Sequence, residues 1–441
     1  MNTVPTAAAP APDPVDAPRA PRSAMFIVFL VVFIDLLGFG IVLPLLPRYA
    51  ETYLPVVPEA LQGAALGLLY SIFSIMQFVF SPVWGRLSDR IGRRPILVLS
   101  LAGSVVFYGL FALASTLGAD RAWLALALIF VSRLGAGTAG ASISTAAAVI
   151  ADCTTREKRA KGMALIGAAF GIGFTFGPLI GYAGLKLFNE ERWAPGAAAA
   201  ILSLVALLLA VRLLPETRNP ATAPAGKEWF SLARTREVLA TPTVGALVFI
   251  YFLAIFGFAN FEGTLSLFTA SAFGLTDEDN FLVFAYIGAV LMVAQGLLYR
   301  RLVGKAGEEA LLKVGVGLMI LGLGGIAAVA FGGSRGGGAA DPATLKLGFY
   351  VAVAVAVTGF AFVNPSVSAL VSKRSDPARQ GEVMGVNQSF NALGRILGPF
   401  LGLVLFAADP SRTLPYLAAA GLLVVVAVLL PRVKGEPESA R

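Results

Sequence analysis

The sequence predicts an all-α polytopic membrane protein of twelve transmembrane helices, arranged as two six-helix pseudo-repeats. Three observations carry this reading. Of 441 residues, 57% are hydrophobic and 14% charged, against roughly 25% charged in soluble domains. So little charge cannot cover a soluble surface of this size, and so apolar a chain cannot stay unfolded in water. Twelve apolar stretches follow one another, each near the roughly 20 residues that cross a bilayer as a helix. Glycine and proline spacings of the first half return in the second. The 48 Gly and 26 Pro suit this class, since both are more frequent in membrane helices than in soluble ones.

Residues 1–24, rich in Pro and Ala from Ala7 to Arg22, read as a disordered tail. The run from Met25 to Leu46 is longer than the roughly 7–15 residues of a signal-peptide core, and no small-residue cleavage pattern closes it. It is span one. The others fall at 62–84, 95–117, 121–148, 161–187, 194–214, 243–270, 280–299, 309–331, 343–371, 382–407 and 412–431. The hydrophilic connection 215–242 holds Pro215, Pro220, Pro224 and Gly226, and divides the chain into halves 25–214 and 243–431. It reads as a tether, with Trp229-Phe230 marking a short amphipathic helix on the membrane surface. Residues 432–441 form a second tail.

An offset of 221 places Gly173, Gly177-Pro178 and Gly181 on Gly394, Gly398-Pro399 and Gly402. An offset of 219 places Gly38-Phe39 on Gly257-Phe258. Parallel six-span repeats around a midplane site mark one major class of secondary transporter. The net charge of +8 does not point to nucleic acid, because its placement follows topology. With the N-terminus cytoplasmic, the tails and even-to-odd connections hold 25 of the 34 Lys and Arg, and the opposite side holds 7. The positive-inside rule therefore puts both termini in the cytoplasm.

Composition also excludes chemistry. Cys153 is the only cysteine, so no disulfide framework, cysteine-rich zinc site or iron–sulfur cluster can form. There is no histidine, which removes the commonest metal ligand and the usual neutral-pH proton switch. Proton chemistry falls to carboxylates. The Gly-rich run Gly332–Gly338 lacks the GKS/T ending of a phosphate-binding loop, which argues against ATP-driven pumping.

The strongest local motif is the turn from Gly85 to Pro95. Gly85 and Gly92 allow close approach and positive φ, and four arginines hold the turn on the cytoplasmic side. By composition it is a topology anchor. Its spacing resembles the loop motif of the major facilitator superfamily at Gly85, Asp89, Arg90, Gly92, Arg93 and Arg94. Asp35 and Pro44 resemble that family's first-helix motif. Arg133 and Gly137 resemble its fourth-helix motif, with Ala136 where Gln is usual. Gly173, Gly177-Pro178 and Gly181 resemble the motif of the antiporter branch, with Tyr182 in place of a second Gly. From about residue 25 to 430 the chain is similar to twelve-span drug:proton antiporters, particularly the tetracycline-efflux-like group. Tetracycline exporters carry further acids in spans three and nine and a histidine in the second half. Here those are absent, so the resemblance implies the fold and not tetracycline as substrate. It also implies that Asp89 docks near the start of span eleven, at Gln380-Gly381-Glu382, with Asp152 pairing with Arg90 or Arg93.

Small residues every fourth position let helix backbones touch in lipid, and Pro178 permits a kink. The motif on span five therefore reads as a gate seal or as tight packing alone. A charge at the centre of a membrane helix costs roughly 2.5–3.5 kcal/mol on insertion scales, so it usually faces a cavity and a partner. Asp35 and Arg133 lie near mid-depth, and Glu262 lies further along span seven. They read as proton-coupling groups, or for Asp35 and Arg133 as a structural ion pair. Tyr70, Gln77, Phe170, Phe174, Tyr251, Phe258, Asn260, Tyr286, Gln295, Asn364, Asn387, Gln388, Asn391 and Arg395 suit a mostly apolar substrate cavity with a few polar groups.

The function expected is proton-coupled efflux of small amphiphilic compounds, drug-like in kind, by alternating access. Its partners would be a small-molecule substrate, protons and the lipid bilayer of a plasma (bacterial inner) membrane. The protein is expected to be a monomer and not an enzyme, with no cofactor, metal or nucleic acid. A sugar, amino-acid or metabolite carrier on the same fold is the alternative, and a non-transporting scaffold or receptor a minor one.

Overall fold

The computed structural model describes residues 22–42, 44, 46, 52–153, 159–217, 232–334, 341–375 and 380–430. Trp229-Phe230 and Arg379 lie outside them, and so do the side chains of Asp35, Phe170, Gln380 and Glu382. The predicted spans are helices. The first half holds Arg22–Val42, Glu59–Ile91, Arg93–Ala114, a fourth span in two pieces (Ala122–Gly140 and Ile143–Cys153), Arg159–Leu187 and Ala194–Leu213. The second half holds Pro242–Phe273, Asp277–Tyr299, Arg300–Ser334, Pro342–Arg374, Gln380–Ala408 and Leu414–Leu429. A short helix, Leu232–Ala240, precedes span seven. No strand occurs among the described residues. Lipid-facing side chains such as Val106, Trp123, Leu321, Leu347 and Val428 are more than half exposed, the apolar exterior that a bilayer stabilises.

The turns come from local chemistry. Gly92 (φ 111) is the single residue between spans two and three. Gly307 (φ 77) breaks the helix between spans eight and nine at the repeating place. An L side chain rarely adopts either conformation. Gly274 (φ 63) caps span seven, and Thr276 with Asp279 forms a capping box that opens span eight. Span eight ends in a π-helical segment, Ala294–Tyr299.

The internal repeat is visible as packing. Span one lies on span five, where Gly177 touches the backbone of Gly40 and Gly173 touches Leu36 and Leu37. Span seven lies on span eleven through Gly394 against Phe252 and Gly398 against Phe256. The same small-residue spacing thus clamps the same helix pair in each half, as lipid-embedded helices require.

The halves meet asymmetrically. Away from the arginine-rich face, span two presses on span eleven at Gly63 and Ala407, at Gly67 and Phe400, and through the Ser71 hydroxyl, which donates to the Ile396 carbonyl at 2.6 Å. Span five presses on span eight at Gly181 and Phe281 and at Thr175 and Gly288. Lys186 pairs with Glu278 at 2.7 Å and Arg192 with Asp277 at 3.7 Å. Towards the basic face these contacts stop among the described residues. Gly85 has only Ser144 of its own half nearby, and around Gly296 and Gly385 there is open space. Among the described residues, the halves are closed at the face opposite the arginines and part towards the basic face.

Candidate functional site

The polar groups collect where the halves part. In the first half, spans two and four form one wall. Tyr70, Phe73 and Gln77 recur at helical spacing along span two. The Gln77 side-chain amide donates to the Gly140 carbonyl at 3.2 Å, tying span two to span four. Arg133 is 1% exposed, and its guanidinium carbon lies 4.6 Å from the centre of the Phe73 ring. That cation–π contact is strong when desolvated. Tyr70 and Tyr108 are within electrostatic reach of the same guanidinium.

In the second half, the Tyr251 hydroxyl donates to Asn364 Oδ1 at 2.7 Å and accepts from Asn391 Nδ2 at 3.0 Å. Asn391 Nδ2 also donates to Gln388 Oε1 at 3.3 Å. One phenol thereby joins spans seven, ten and eleven. Arg395 follows Asn391 by four residues, on the same face, and is partly exposed. Glu262 is 5% exposed, and its Oε1 is buried without a hydrogen-bond partner. The Tyr70 hydroxyl is likewise buried and unpartnered. Tyr70 reaches across the seam: its ring lies beside Gly263, the neighbour of Glu262. Arg395, Glu262, Arg133 and Tyr70 lie within one electrostatic neighbourhood.

Other expected cavity residues stand elsewhere. Phe258 stacks on Phe360 with ring centres 3.9 Å apart, and Asn260 is fully buried with its amide donating to the Pro415 carbonyl. Both pack helices together and do not join the cluster. Asn387 is also fully buried, with neither side-chain atom hydrogen-bonded. The Tyr286 hydroxyl donates to the Tyr350 carbonyl at 3.1 Å. Phe174 stands at the contact of spans five and eight, and Gln295 lies in the π-helical segment. Asp35 is in the first helix, but its side chain and that of Phe170 lie outside the described residues.

At the basic face, Arg93 binds both predicted acids, Asp89 at 2.5 Å and Asp152 at 3.1 Å. The expected docking of Asp89 on Gln380-Gly381-Glu382 lies outside the described residues. Glu216 was not anticipated. Its carboxylate accepts the backbone N–H groups of Arg93 (2.8 Å) and Arg94 (3.1 Å), which opens span three where the helix dipole favours an anion. Phe73 was also missed, although its spacing from Tyr70 and Gln77 was a usable signal. Ser71 carried none, because a helix serine usually bonds to its own backbone. A shallow depression of about 630 Å³ at the closed face, between Ser115 and Trp193, holds none of the midplane groups.

Two six-helix repeats, closed on each other at one face with buried charges at their seam, define a polytopic membrane carrier. The chain belongs to the major facilitator superfamily: the model of the Major Facilitator Superfamily matches residues 28–399 and 343–441. It is therefore a membrane transporter and not an enzyme. It is 28% identical over 433 residues to human major facilitator superfamily domain-containing protein 10, covering 88% of each chain. It is 28% identical over 418 residues to the class E tetracycline resistance protein of Escherichia coli and, equally, to multidrug resistance protein 2 of Bacillus subtilis, covering 92% of this chain and 94% of each relative. Among solved structures, the human organic anion transporter MFSD10 (TETRAN) matches with a TM-score of 0.62 at 27% identity, covering 93% of this chain and 99% of that one. The D-xylose-proton symporter matches with a TM-score of 0.75 at 15% identity, covering 95% and 98%, a likeness of fold.

Proposed function

We propose that the protein exports small amphiphilic compounds in exchange for protons by alternating access, with its arginine-rich face and both termini in the cytoplasm of a plasma (bacterial inner) membrane. The observation that carries this reading is the asymmetric seam. The halves are closed at one face and parted at the other, and ionisable groups are buried where they meet. A carboxylate there changes its hydration whenever the open side changes, and its proton affinity changes with it. Asp35 carries the exchanged proton, and Arg133 opposes its protonation. The names of the tetracycline and multidrug resistance relatives support drug-like substrates. The cavity-facing polar groups act as a few fixed anchors among apolar helices.

The test is dye transport in inside-out vesicles energised with an acidic interior. Rhodamine 6G and fluorescein uptake are followed with and without an uncoupler. Wild type concentrates dye only while the pH difference lasts. Asp35→Asn inserts and folds but loses concentrative uptake, while downhill exchange survives. Uptake indifferent to the uncoupler, or full concentrative uptake by Asp35→Asn, overturns the assignment. The Tyr251–Asn364–Asn391 network supports a second reading, a carrier for a hydroxylated metabolite, which sugars or amino acids competing with dye would reveal.

A further inference from the structure

We propose that Arg395 is a binding site for the acidic group of an organic anion, with Tyr70 and Glu262 forming its far wall. This rests on the export reading above and adds the charge class of the substrate. Among the described residues, no carboxylate lies within ion-pair distance of Arg395. It nevertheless stands in the middle of span eleven, where a cation ordinarily has a partner. Glu262, an acid within electrostatic reach of Arg395, is beyond that distance, buried, and without a hydrogen bond at Oε1. An arginine in mid-span without a carboxylate partner among the described residues leaves its guanidinium open to a third group.

The path to Arg395 fits such a group. Gln388, Asn391 and Arg395 follow one another along one face of span eleven, from the open basic face to the seam. Gln388 and Asn391 present amides, the Tyr70 hydroxyl is an unused donor, and Arg395 is the cation at the end. Planar guanidinium matches a carboxylate or sulfonate in two parallel hydrogen bonds, which an ammonium cannot do. A cationic substrate would meet the same guanidinium as a like charge. Glu262 accommodates the anion in its protonated form, when it too donates. Among the described residues, Tyr70 lies in the electrostatic surroundings of both Glu262 and Arg395, with Arg133 also close to Tyr70, and Tyr251 lies in those of Arg395.

Fluorescein and rhodamine 6G share a xanthene ring and carry opposite charge, so they separate charge from shape. Binding of each to purified protein in lipid nanodiscs is read by fluorescence anisotropy at fixed pH. Wild type binds fluorescein. Arg395→Gln weakens it about tenfold or more, as loss of one member of a buried charge pair does, Arg395→Lys weakens it less, and rhodamine 6G binding holds or tightens in both. Thermal melting confirms that each variant is folded, and Arg395→Lys decides if Arg395→Gln is not. Failure of wild type to bind fluorescein overturns the proposal. So does unchanged fluorescein binding in the folded variant, or an equal loss of both dyes. Because this is equilibrium binding, it is independent of proton coupling. Rhodamine export driven by the pH difference, without fluorescein binding, sinks this inference and leaves the export reading standing. Fluorescein binding without pH-driven transport of either dye does the reverse.

Discussion

Gly288 is where one added carbon should move the carrier from one state to the other. A Cβ built there would lie 2.7 Å from Thr175 Cα, 2.9 Å from Thr175 Oγ1 and 3.1 Å from the Phe174 carbonyl oxygen. Ordinary contacts between carbons fall at about 3.5–4.0 Å. Two of these three neighbours are backbone, which cannot rotate away. Gly288→Ala therefore forces spans five and eight apart at the closed face. Overpacking of this kind costs about 1–3 kcal/mol. The strain exists only while that face is closed, so it is lost when the face opens. At tenfold per 1.4 kcal/mol, the balance shifts by about 5- to 140-fold towards opening. Because Cys153 is the only cysteine, a Cys153→Ser background accepts spin labels at Leu187 and Leu282, both exposed at 77% and 45%. Double electron–electron resonance in nanodiscs should show the short-distance population of the closed face fall and a longer one grow. Gly317→Ala is the control, since nothing lies within 4 Å of its added carbon. If folded Gly288→Ala keeps the wild-type distance distribution, the contact of spans five and eight does not set the closed state.

Two further predictions follow from charges outside the helices' centres. Lys186–Glu278 is a partly exposed pair across the closed face; Glu278→Lys should open that face in the spin-label assay, and the swap Lys186→Glu with Glu278→Lys should close it again. Burial pushes the Asp409 carboxyl up, but the N–H groups of Leu414, Ser411 and Thr413 and the Ser411 hydroxyl outweigh it and hold it below its ordinary 3.8. A depressed carboxyl stabilises fully above its ordinary value and loses that contribution as pH falls through the folded value. Asp409→Asn should therefore lower the melting temperature at pH 6–7, and the difference from wild type should shrink as the pH falls below 3.8 and through the folded value.

The helices and their order were legible because apolar length alone fixes a membrane span, and the repeat was legible because close helix contact admits only small residues. Spans two and seven show the limit. Burial or exposure of an aromatic does not follow from its type. Phe258 was expected in a cavity, yet it stacks on Phe360 in the packing between spans seven and ten. Phe73, not singled out, receives Arg133. Asn260 shows the same ambiguity for amides, since one hydrogen bond to a neighbouring span satisfies a role that has nothing to do with substrate. Glu216 was hidden for a different reason. It lies far in sequence from the span-three start that it caps, and no local pattern links an acid after span six to Gly92. Which face is closed does not follow from the pattern, because apolar length and small-residue spacing are the same in either arrangement.

The charges that break the repeat point to a division of work between the halves. Asp35 falls on Ala254, fully buried, in the second half. Arg395 falls on Phe174 in the first half, and Glu262 on Leu43. Each half has kept the glycine clamps, which the fold needs twice, and has charged positions that the other lacks. If a buried charge served only to hold helices together, the repeat would favour keeping it in both halves, as it kept Gly173 and Gly394, and its cost would be borne twice. A charge carried once serves something that happens once per cycle. On the proposal that Asp35 handles the proton in the first half and Arg395 the substrate in the second, the two ligands sit on different halves of the fold. Closing the basic face then brings the two sites together, so each ligand alters the electrostatics that the other meets. That is the minimum that exchange requires: a coupling free energy between two sites that is reciprocal by necessity.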